Sequence, residues 1–144
     1  MLNIPLRVKN LMKKYGTKNP YTLCKILKIH IRYMDLGDVK GVYKKIVTNK
    51  FIIINENLSE FAQLIVLCHE LGHALLHDSS EIQSFKDCNL FPKVNNRIEV
   101  EANTFAAELL IPDALVYENP GMTKSQLARL AGYDEKIMDF KRID

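Results

Sequence analysis

The sequence predicts an α+β fold: a small domain that is mostly helical and contains a small three-stranded antiparallel sheet. Apolar residues recur at helical spacing near both ends of the chain and through its middle. Between about residues 29 and 55 the period changes to the alternation typical of strands. Because helices and strands occupy separate blocks of the sequence, an α+β arrangement is favoured over alternating α/β units.

Two helices are predicted before the first strand. Residues 2–15 have an apolar side at roughly helical spacing, formed by Leu2, Leu6, Leu11 and Tyr15. The stretch YGTKNP ends this helix, since glycine and proline disfavour its continuation. A second, short helix starts in NPYTLCKILKIH, and its apolar side consists of Leu23, Ile26 and Leu27.

Three strands are predicted after these helices. Ile29, Ile31 and Tyr33 alternate with polar residues, and the turn-forming stretch DLGDVKG follows them. Val42–Val47 and Phe51–Asn55 are β-prone runs joined by three residues. This pattern predicts a hairpin with a short loop.

Two longer helices are predicted in the second half of the chain. Ser59 is expected to be the N-cap of the first, which runs to about His77. Residues 78–94 are polar and are interpreted as an irregular connection. The second helix extends from about Asn96 to Leu110, and Pro112 stops it.

The remaining residues and the composition indicate one ordinary globular domain. Residues 112–144 are interpreted as two or three short helices that cap the fold, so that residues 1–144 form a single domain. Hydrophobic residues make up 47% and charged residues 26% of the sequence, as in soluble globular proteins. The net charge of +3 is too weak and too scattered to indicate nucleic-acid binding.

Cysteine usage and the lack of long apolar runs predict a cytoplasmic protein. The three cysteines, Cys24, Cys68 and Cys88, have no paired spacing, which argues for a reducing compartment. The sequence has no signal-peptide core and no apolar run of membrane-spanning length, so no membrane partner is expected. Cys68 is predicted to be a buried structural thiol.

A cluster of histidines predicts a metal site. Three of the four histidines in the chain lie in the stretch LCHELGHALLHD. His69 and His73 are four residues apart, so on a helix both imidazoles project from one face and can hold a single zinc ion. Glu70 follows the first of them and is placed to act as a general base on a water at the open position. This is the His-Glu-x-x-His arrangement of zinc peptidases.

His77 is a tempting third ligand, but helical geometry argues against it. It lies eight residues from His69, which is about 12 Å along a helix axis. Its ring is therefore too far from a zinc ion held by His69 and His73. We interpret His77 as a residue that supports a ligand or faces the substrate, or as a histidine favoured at a helix C-terminus.

The second long helix offers three acids as the third ligand: Glu99, Glu101 and Glu108. Glu99 and Asn103 are four residues apart and share a face. One of the two could therefore bind the zinc while the other forms a hydrogen bond with a ligating histidine. Glu101 points to nearly the opposite side and is expected to reach solvent, so the geometry favours Glu99.

Taken together, these motifs resemble the ImmA/IrrE family of zinc metallopeptidases. The resemblance rests on HELGHALLH and on EVEANTFAAELLIP some twenty residues later, and FIIINENLSEFAQLIVLCHE and NPYTLCKILKIHIRYMDLGDVKG are also similar. It covers roughly residues 18–115. It implies a small zincin-like domain, in which one helix carries the HExxH motif and a second helix carries the ligand glutamate.

The resemblance also implies roles for individual residues. One zinc ion per chain would be held by His69, His73 and the glutamate of the second motif, with Glu70 as the general base. The wider Glu-x-x-x-Asp pattern of glutamate zincins selects Glu99 as that ligand. Asn103 stands where relatives often carry aspartate, and an asparagine can still accept a hydrogen bond from an imidazole.

As a function, the resemblance implies a zinc endopeptidase of a prophage or other mobile element. Its protein substrate would be a helix-turn-helix transcriptional repressor, which it cleaves as an anti-repressor. An edge strand of the sheet, such as Phe51–Asn55 or its hairpin partner, could pair with the substrate as an extended strand.

Two alternatives remain open from the sequence. A metal-binding anti-repressor that binds the repressor without cleaving it would have the same ligands. A DNA-binding module could be formed by residues 123–140, which resemble a helix-turn-helix, but the mixture of basic and acidic residues there favours a helical cap, so direct nucleic-acid binding is not expected. Cys88, between the two motifs, could also reach the metal as a switch.

Overall fold

Six α-helices and four strands make up the parts of the chain that the computed structural model describes, which are residues 2–77, 83–85, 97–132 and 135–142. A short 3₁₀ helix, Glu135–Asp139, follows the last α-helix. The α+β class is therefore confirmed. In chain order the elements are α1 (Ile4–Tyr15), α2 (Pro20–Ile26), β1 (Ile29–Met34), β2 (Gly41–Ile46), β3 (Asn49–Asn55), α3 (Glu60–Leu76), β4 (Gln83–Phe85), α4 (Arg97–Leu110), α5 (Asp113–Tyr117) and α6 (Lys124–Ala131).

Local signals in the sequence set the ends of the helices. The side chain of Asn3 accepts a hydrogen bond from the Leu6 backbone N–H and caps α1. The Ser59 hydroxyl accepts one from the Ala62 backbone N–H at 3.2 Å, which confirms Ser59 as the N-cap of α3. None of the described helices is long and apolar enough to cross a bilayer.

The sheet is mixed, which corrects the three-stranded antiparallel arrangement predicted from the sequence. Its strand order is β1-β3-β2-β4. The predicted hairpin of β2 and β3 is present, but β3 also pairs with β1 in parallel register. The short strand β4 pairs with Gly41–Tyr43 of β2, within a segment that the sequence indicated to be irregular. Alternation locates a strand but does not identify its neighbours, and this explains the error.

The strand order also rules out Phe51–Asn55 as an edge strand, because β3 lies between β1 and β2. The link between β1 and β2 passes the end of β3. Asn55 holds that link, since its side-chain amide donates hydrogen bonds to the backbone carbonyls of Gly37 and Val39 at 3.0 and 2.9 Å.

Helix α3 is the central element of the core. Its sequence is apolar on all sides, as expected of a buried helix. Ten consecutive residues, from Ile65 to Ala74, are buried. The core around it is formed by side chains of the sheet and of α4, among them Tyr43, Ile52, Ile54, Phe105, Ala106 and Leu109.

Gly72 allows α3 and α4 to approach each other closely. A Cβ atom at this position would lie 3.1 Å from Phe105 Cβ and 3.2 Å from both the Cα and the carbonyl oxygen of Ala102. Two of these three contacts are with backbone atoms, which cannot move aside by changing a rotamer. Close packing against a neighbouring helix therefore explains a glycine in the middle of a helix, where it otherwise destabilises by roughly 1 kcal/mol relative to alanine.

We expect Gly72→Ala to lower the free energy of unfolding by about 1–2 kcal/mol. The overpacking against α4 outweighs the gain in helix propensity. Urea unfolding of the metal-free protein would measure the change. An increase in stability would show instead that α4 can shift to accommodate the methyl group.

The C-terminal segment is tied to the end of α4 by a buried ion pair. The Lys141 ammonium group donates to Glu108 Oε1 at 2.7 Å and also contacts the carboxylate of Asp113. The Arg142 backbone N–H donates to Glu108 Oε2 at 2.9 Å. Glu108, one of the three candidate ligands, therefore serves to anchor the cap rather than to hold a metal.

The remainder of the cap packs onto the same core. Leu127 of α6 is buried, and Ile137 and Met138 of the 3₁₀ helix are fully buried. Leu130 is half exposed. Among the described residues that follow Gly132, Glu135–Asp139 thus form a short 3₁₀ helix packed on the core, rather than an exposed helix of the length needed to enter a DNA groove.

Replacing Lys141 with methionine is expected to destabilise the protein by about 3–5 kcal/mol, because Glu108 would keep a buried charge without its partner. Denaturant unfolding would measure this loss. Lys124→Met, at an exposed position, is the matched control and should stay within about 0.5 kcal/mol of the parent. A loss below 1 kcal/mol for Lys141→Met would mean that the cap is held by apolar packing alone.

Candidate metal centre

Helix α3 carries three ionisable side chains into the interior. His69 and His73 are each 1% exposed, and Glu70 is fully buried. Burial of such groups is unfavourable unless they have partners. The partners of the two histidines come from α4, which packs along this face of α3.

Glu99 of α4 lies between the two histidines. Its Oε2 atom is 3.0 Å from His69 Nε2, and its Oε1 atom is 3.1 Å from His73 Nε2. The structure therefore brings together the three residues predicted as ligands from the sequence, which are His69, His73 and Glu99. Their ligand atoms all lie within 4.8 Å of one another, and no other cluster of this kind occurs in the described parts of the chain.

This geometry fits a zinc ion. Zinc bound tetrahedrally at about 2.0–2.1 Å has ligand atoms about 3.3 Å apart, close to the separations found between Glu99 and the histidines. Two imidazoles and one carboxylate are also the donor set of many catalytic zinc sites, which keep a fourth position open. The cluster is partly accessible, because the Glu99 side chain is 19% exposed.

Asn103, one turn further along α4, contacts the other nitrogen of His69. The distance from His69 Nδ1 to Asn103 Oδ1 is 2.6 Å. An amide oxygen only accepts, so Nδ1 must carry the proton and Nε2 is the nitrogen that faces Glu99. The Asn103 amide nitrogen is buried and has no hydrogen-bond partner among the described residues.

The other nitrogen of His73 contacts His77, and this chain of contacts extends to Glu101. His73 Nδ1 lies 3.1 Å from His77 Nδ1, and His77 Nε2 lies 3.0 Å from Glu101 Oε1. The prediction that Glu101 reaches solvent is therefore wrong: its side chain is 12% exposed. Helical projection placed Glu101 on the side of α4 opposite Glu99, but it could not show that His77, the C-cap of α3, meets that side.

Glu70 lies on the side of α3 that faces β2. Strand β2 approaches closely here because Gly41 has no side chain: a Cβ atom at this position would overlap Val66 Cγ1 and lie 3.4 Å from Glu70 Cγ. Among the described residues, neither carboxylate oxygen of Glu70 has a hydrogen-bond partner of good geometry. A buried carboxylate with so few hydrogen bonds, beside a cluster of potential metal ligands, is unusual in a structural role.

Burial and mutual charge shift the pKa values of these groups in different directions. Burial raises the pKa of Glu70 well above its usual value, the charge of Glu99 adds to the rise, and the Tyr43 backbone N–H partly opposes it. Burial also raises the pKa of Glu99, but hydrogen bonds and charge from His69 and His73 outweigh it and lower the pKa to about 2. Burial lowers the pKa of His73, which favours the neutral ring that a metal requires.

The two described cysteines take no part in the cluster. Cys68 is fully buried, and burial raises its thiol pKa strongly, as expected of an inert structural thiol. Burial raises the pKa of Cys24 to about 12. Cys88, predicted as a possible switch over the metal, lies outside the described residues.

Comparison with known proteins gives a consistent result. The profile of peptidase family M78, described as the IrrE N-terminal-like domain, matches residues 24–141. The chain is similar to uncharacterized immunity region protein 2 of Bacillus phage phi105, with 39% identity over 96% of this chain and 88% of that protein. It is 34% identical to metallopeptidase ImmA of Bacillus subtilis, over 94% of this chain and 81% of that one. It is also 30% identical to the radiation response metalloprotease IrrE of Deinococcus radiodurans, over 72% of this chain but 32% of that longer protein.

Proposed function

Because the chain belongs to the ImmA/IrrE family of metallopeptidases, we propose that it is a zinc endopeptidase that cleaves a helix-turn-helix repressor of a phage or integrative element. The observation that carries the proposal is the convergence of two imidazoles and one carboxylate. Next to the first imidazole lies a fully buried glutamate, whose carboxylate has no side-chain partner among the described residues. This arrangement suits hydrolysis better than a purely structural metal site, in which all four positions are filled by protein ligands.

In this proposal, His69, His73 and Glu99 would hold one zinc ion per chain, with the two Nε2 atoms and the Glu99 carboxylate as the donors. When bound, zinc supplies a Lewis acid that polarises the scissile carbonyl and makes water more acidic. Asn103 keeps the His69 ring oriented by accepting the hydrogen bond from Nδ1.

Glu70 moves the proton. Its carboxylate accepts a proton from the water that attacks the peptide carbonyl, and then delivers it to the nitrogen of the leaving amine. A buried carboxylate that has few hydrogen bonds is a stronger base than an exposed one. The raised pKa of Glu70 therefore suits both halves of the transfer.

The substrate proposal rests on family membership and on the relatives. The phage relative is named as a protein of an immunity region. A repressor encoded next to this chain is thus the first substrate to test. We further propose that residues 1–144 act as one domain, supported by the packing of the C-terminal cap onto the common core. We also propose that the protein acts in the cytoplasm, because its three cysteines have no paired spacing.

Incubation of the purified protein with the neighbouring repressor, with and without zinc, tests the proposal. We expect discrete repressor fragments on a gel, identified by mass spectrometry, and their loss when a chelator is added. If the repressor loses DNA binding while it stays intact, the chain acts as an anti-repressor by binding, and the proposed endopeptidase function is wrong.

A further inference from the structure

We propose that Glu101 and His77 are positioning residues that hold His73 in the orientation and tautomer required for metal binding. The inference rests on the proposed function, because it assigns a role toward the same metal. It gives α4 two carboxylates that act on one site: Glu99 directly, and Glu101 through the rings of His77 and His73.

The direction of these hydrogen bonds follows from the Glu101 carboxylate, the last group in the series. The Glu101 carboxylate only accepts, so His77 Nε2, at 3.0 Å, must carry a proton and donate it. In a neutral imidazole the second nitrogen is then an acceptor, so His77 Nδ1 accepts from His73 Nδ1 at 3.1 Å. His73 therefore has its proton on Nδ1, and Nε2 keeps a lone pair directed at the site.

Burial makes this arrangement effective. His77 is 10% exposed and Glu101 is 12% exposed, so water competes little for either hydrogen bond. A carboxylate behind a metal-bound imidazole fixes the ring and increases its basicity. The two histidines are thus supported differently. His69 has a hydrogen bond to the neutral amide of Asn103. His73 has one to His77, which in turn has one to the Glu101 carboxylate.

The contacts of Glu101 favour this role over that of a surface ion pair. Its other described partner, Arg97, lies 3.7 Å away and is 72% exposed, and such a pair contributes little. The spacing also explains the third histidine of the motif. His77 follows His73 by one helical turn, and is therefore within reach of the ring but not of the metal.

The tautomers can be measured in the unmodified protein. In the zinc-loaded protein, long-range ¹H–¹⁵N correlation spectra of the imidazoles should show His77 protonated on Nε2 alone and His73 protonated on Nδ1 alone. A His77 ring protonated on Nδ1 would overturn the proposal, since it could not accept from His73. This measurement requires no variant and so remains decisive if a substitution prevents folding.

Substitution of Glu101 measures the size of the effect. We expect Glu101→Ala to weaken zinc binding by about 10- to 100-fold, and to shift the visible absorption bands of the cobalt-substituted protein. Glu101→Gln keeps an acceptor oxygen and should stay within about threefold of the parent. Arg97→Ala is the matched control and should leave both the zinc affinity and the cobalt spectrum unchanged, because Arg97 contacts Glu101 but not His77.

The outcomes separate this inference from the proposed function. A folded Glu101→Ala variant with zinc affinity within twofold of the parent would refute the positioning role while leaving the peptidase intact. A parent protein that binds no zinc in chelator competition would instead refute the proposed metal site itself.

Discussion

Glu70→Gln is expected to abolish peptide cleavage, to retain zinc, and to make the metal-free protein more stable at neutral pH. Loss of the proposed general base should reduce the rate by at least about 10²–10⁴-fold. Zinc binding should persist, because Glu70 is not among the three side chains that converge on the site. Repressor cleavage and zinc content, measured on the same preparation, would test both statements.

The stability gain follows from the direction of the pKa shift. The pKa of Glu70 is raised well above 4.5 in the folded protein, chiefly by burial. Between 4.5 and the folded pKa, the folded state holds a proton that the unfolded state has released, so stability falls as the pH rises through this window. Glutamine does not ionise, so its burial adds no loss of stability as the pH rises. The variant should therefore melt at a higher temperature than the parent at pH 7, and at the same temperature below about pH 4.

Thermal unfolding in the presence of a chelator, from pH 4 to pH 8, would measure this difference. Glu118→Gln, at an exposed position, is the control, and its unfolding temperature should equal that of the parent at every pH. Equal stability of Glu70→Gln and the parent at pH 7 would show that the Glu70 carboxylate is better solvated than its burial implies. Retained cleavage by Glu70→Gln would exclude Glu70 as the base.

Glu99→Gln is expected to remove most of the zinc affinity, whereas Glu101→Gln retains it. Loss of one of three protein ligands should weaken zinc binding by about a hundredfold or more. Chelator competition on both variants would decide between the two acids that the sequence offered as ligand. Equal losses for the two variants would contradict the assignment of Glu99 as the direct ligand.

The two glutamates should also have opposite effects on the metal-free protein. Interaction with His69 and His73 lowers the pKa of Glu99 to about 2, against the effect of burial. Its contribution to stability is thus fully present above pH 4.5 and is lost as the pH falls through about 2. At neutral pH, Glu99→Gln should destabilise the metal-free protein, where Glu70→Gln stabilises it. Such opposite signs would indicate a site arranged for a cation rather than for stability.

The two pairs of site residues that lie within one helix were predictable because their geometry is local. His69 and His73 share a helical face, as do Glu99 and Asn103, and the structure brings all four together. Helix positions are similarly local, since caps such as Ser59 act within one turn. Contacts between residues within one or two helical turns depend on the 3.6-residue period, so the sequence alone predicts them.

The errors concern contacts between elements that are distant in sequence. The parallel pairing of β1 with β3, and the pairing of β4 with β2, depend on which strands become neighbours, and alternation does not contain that information. The burial of Glu101 depends on how α4 crosses the end of α3, where His77 leaves the helix. A glycine inside a helix is unfavourable, and only the packing of α4 shows why one is needed at Gly72.

The sequence by itself determined the class of the fold, the helices and the chemical types gathered at the site. The tertiary structure decided which strands are neighbours, which nitrogen of each imidazole faces Glu99, and that Glu101 lies behind His77 rather than in solvent. The physical reason is that backbone period and capping act over a few residues. Strand neighbours, hydrogen-bond direction and burial are properties of the packed chain as a whole.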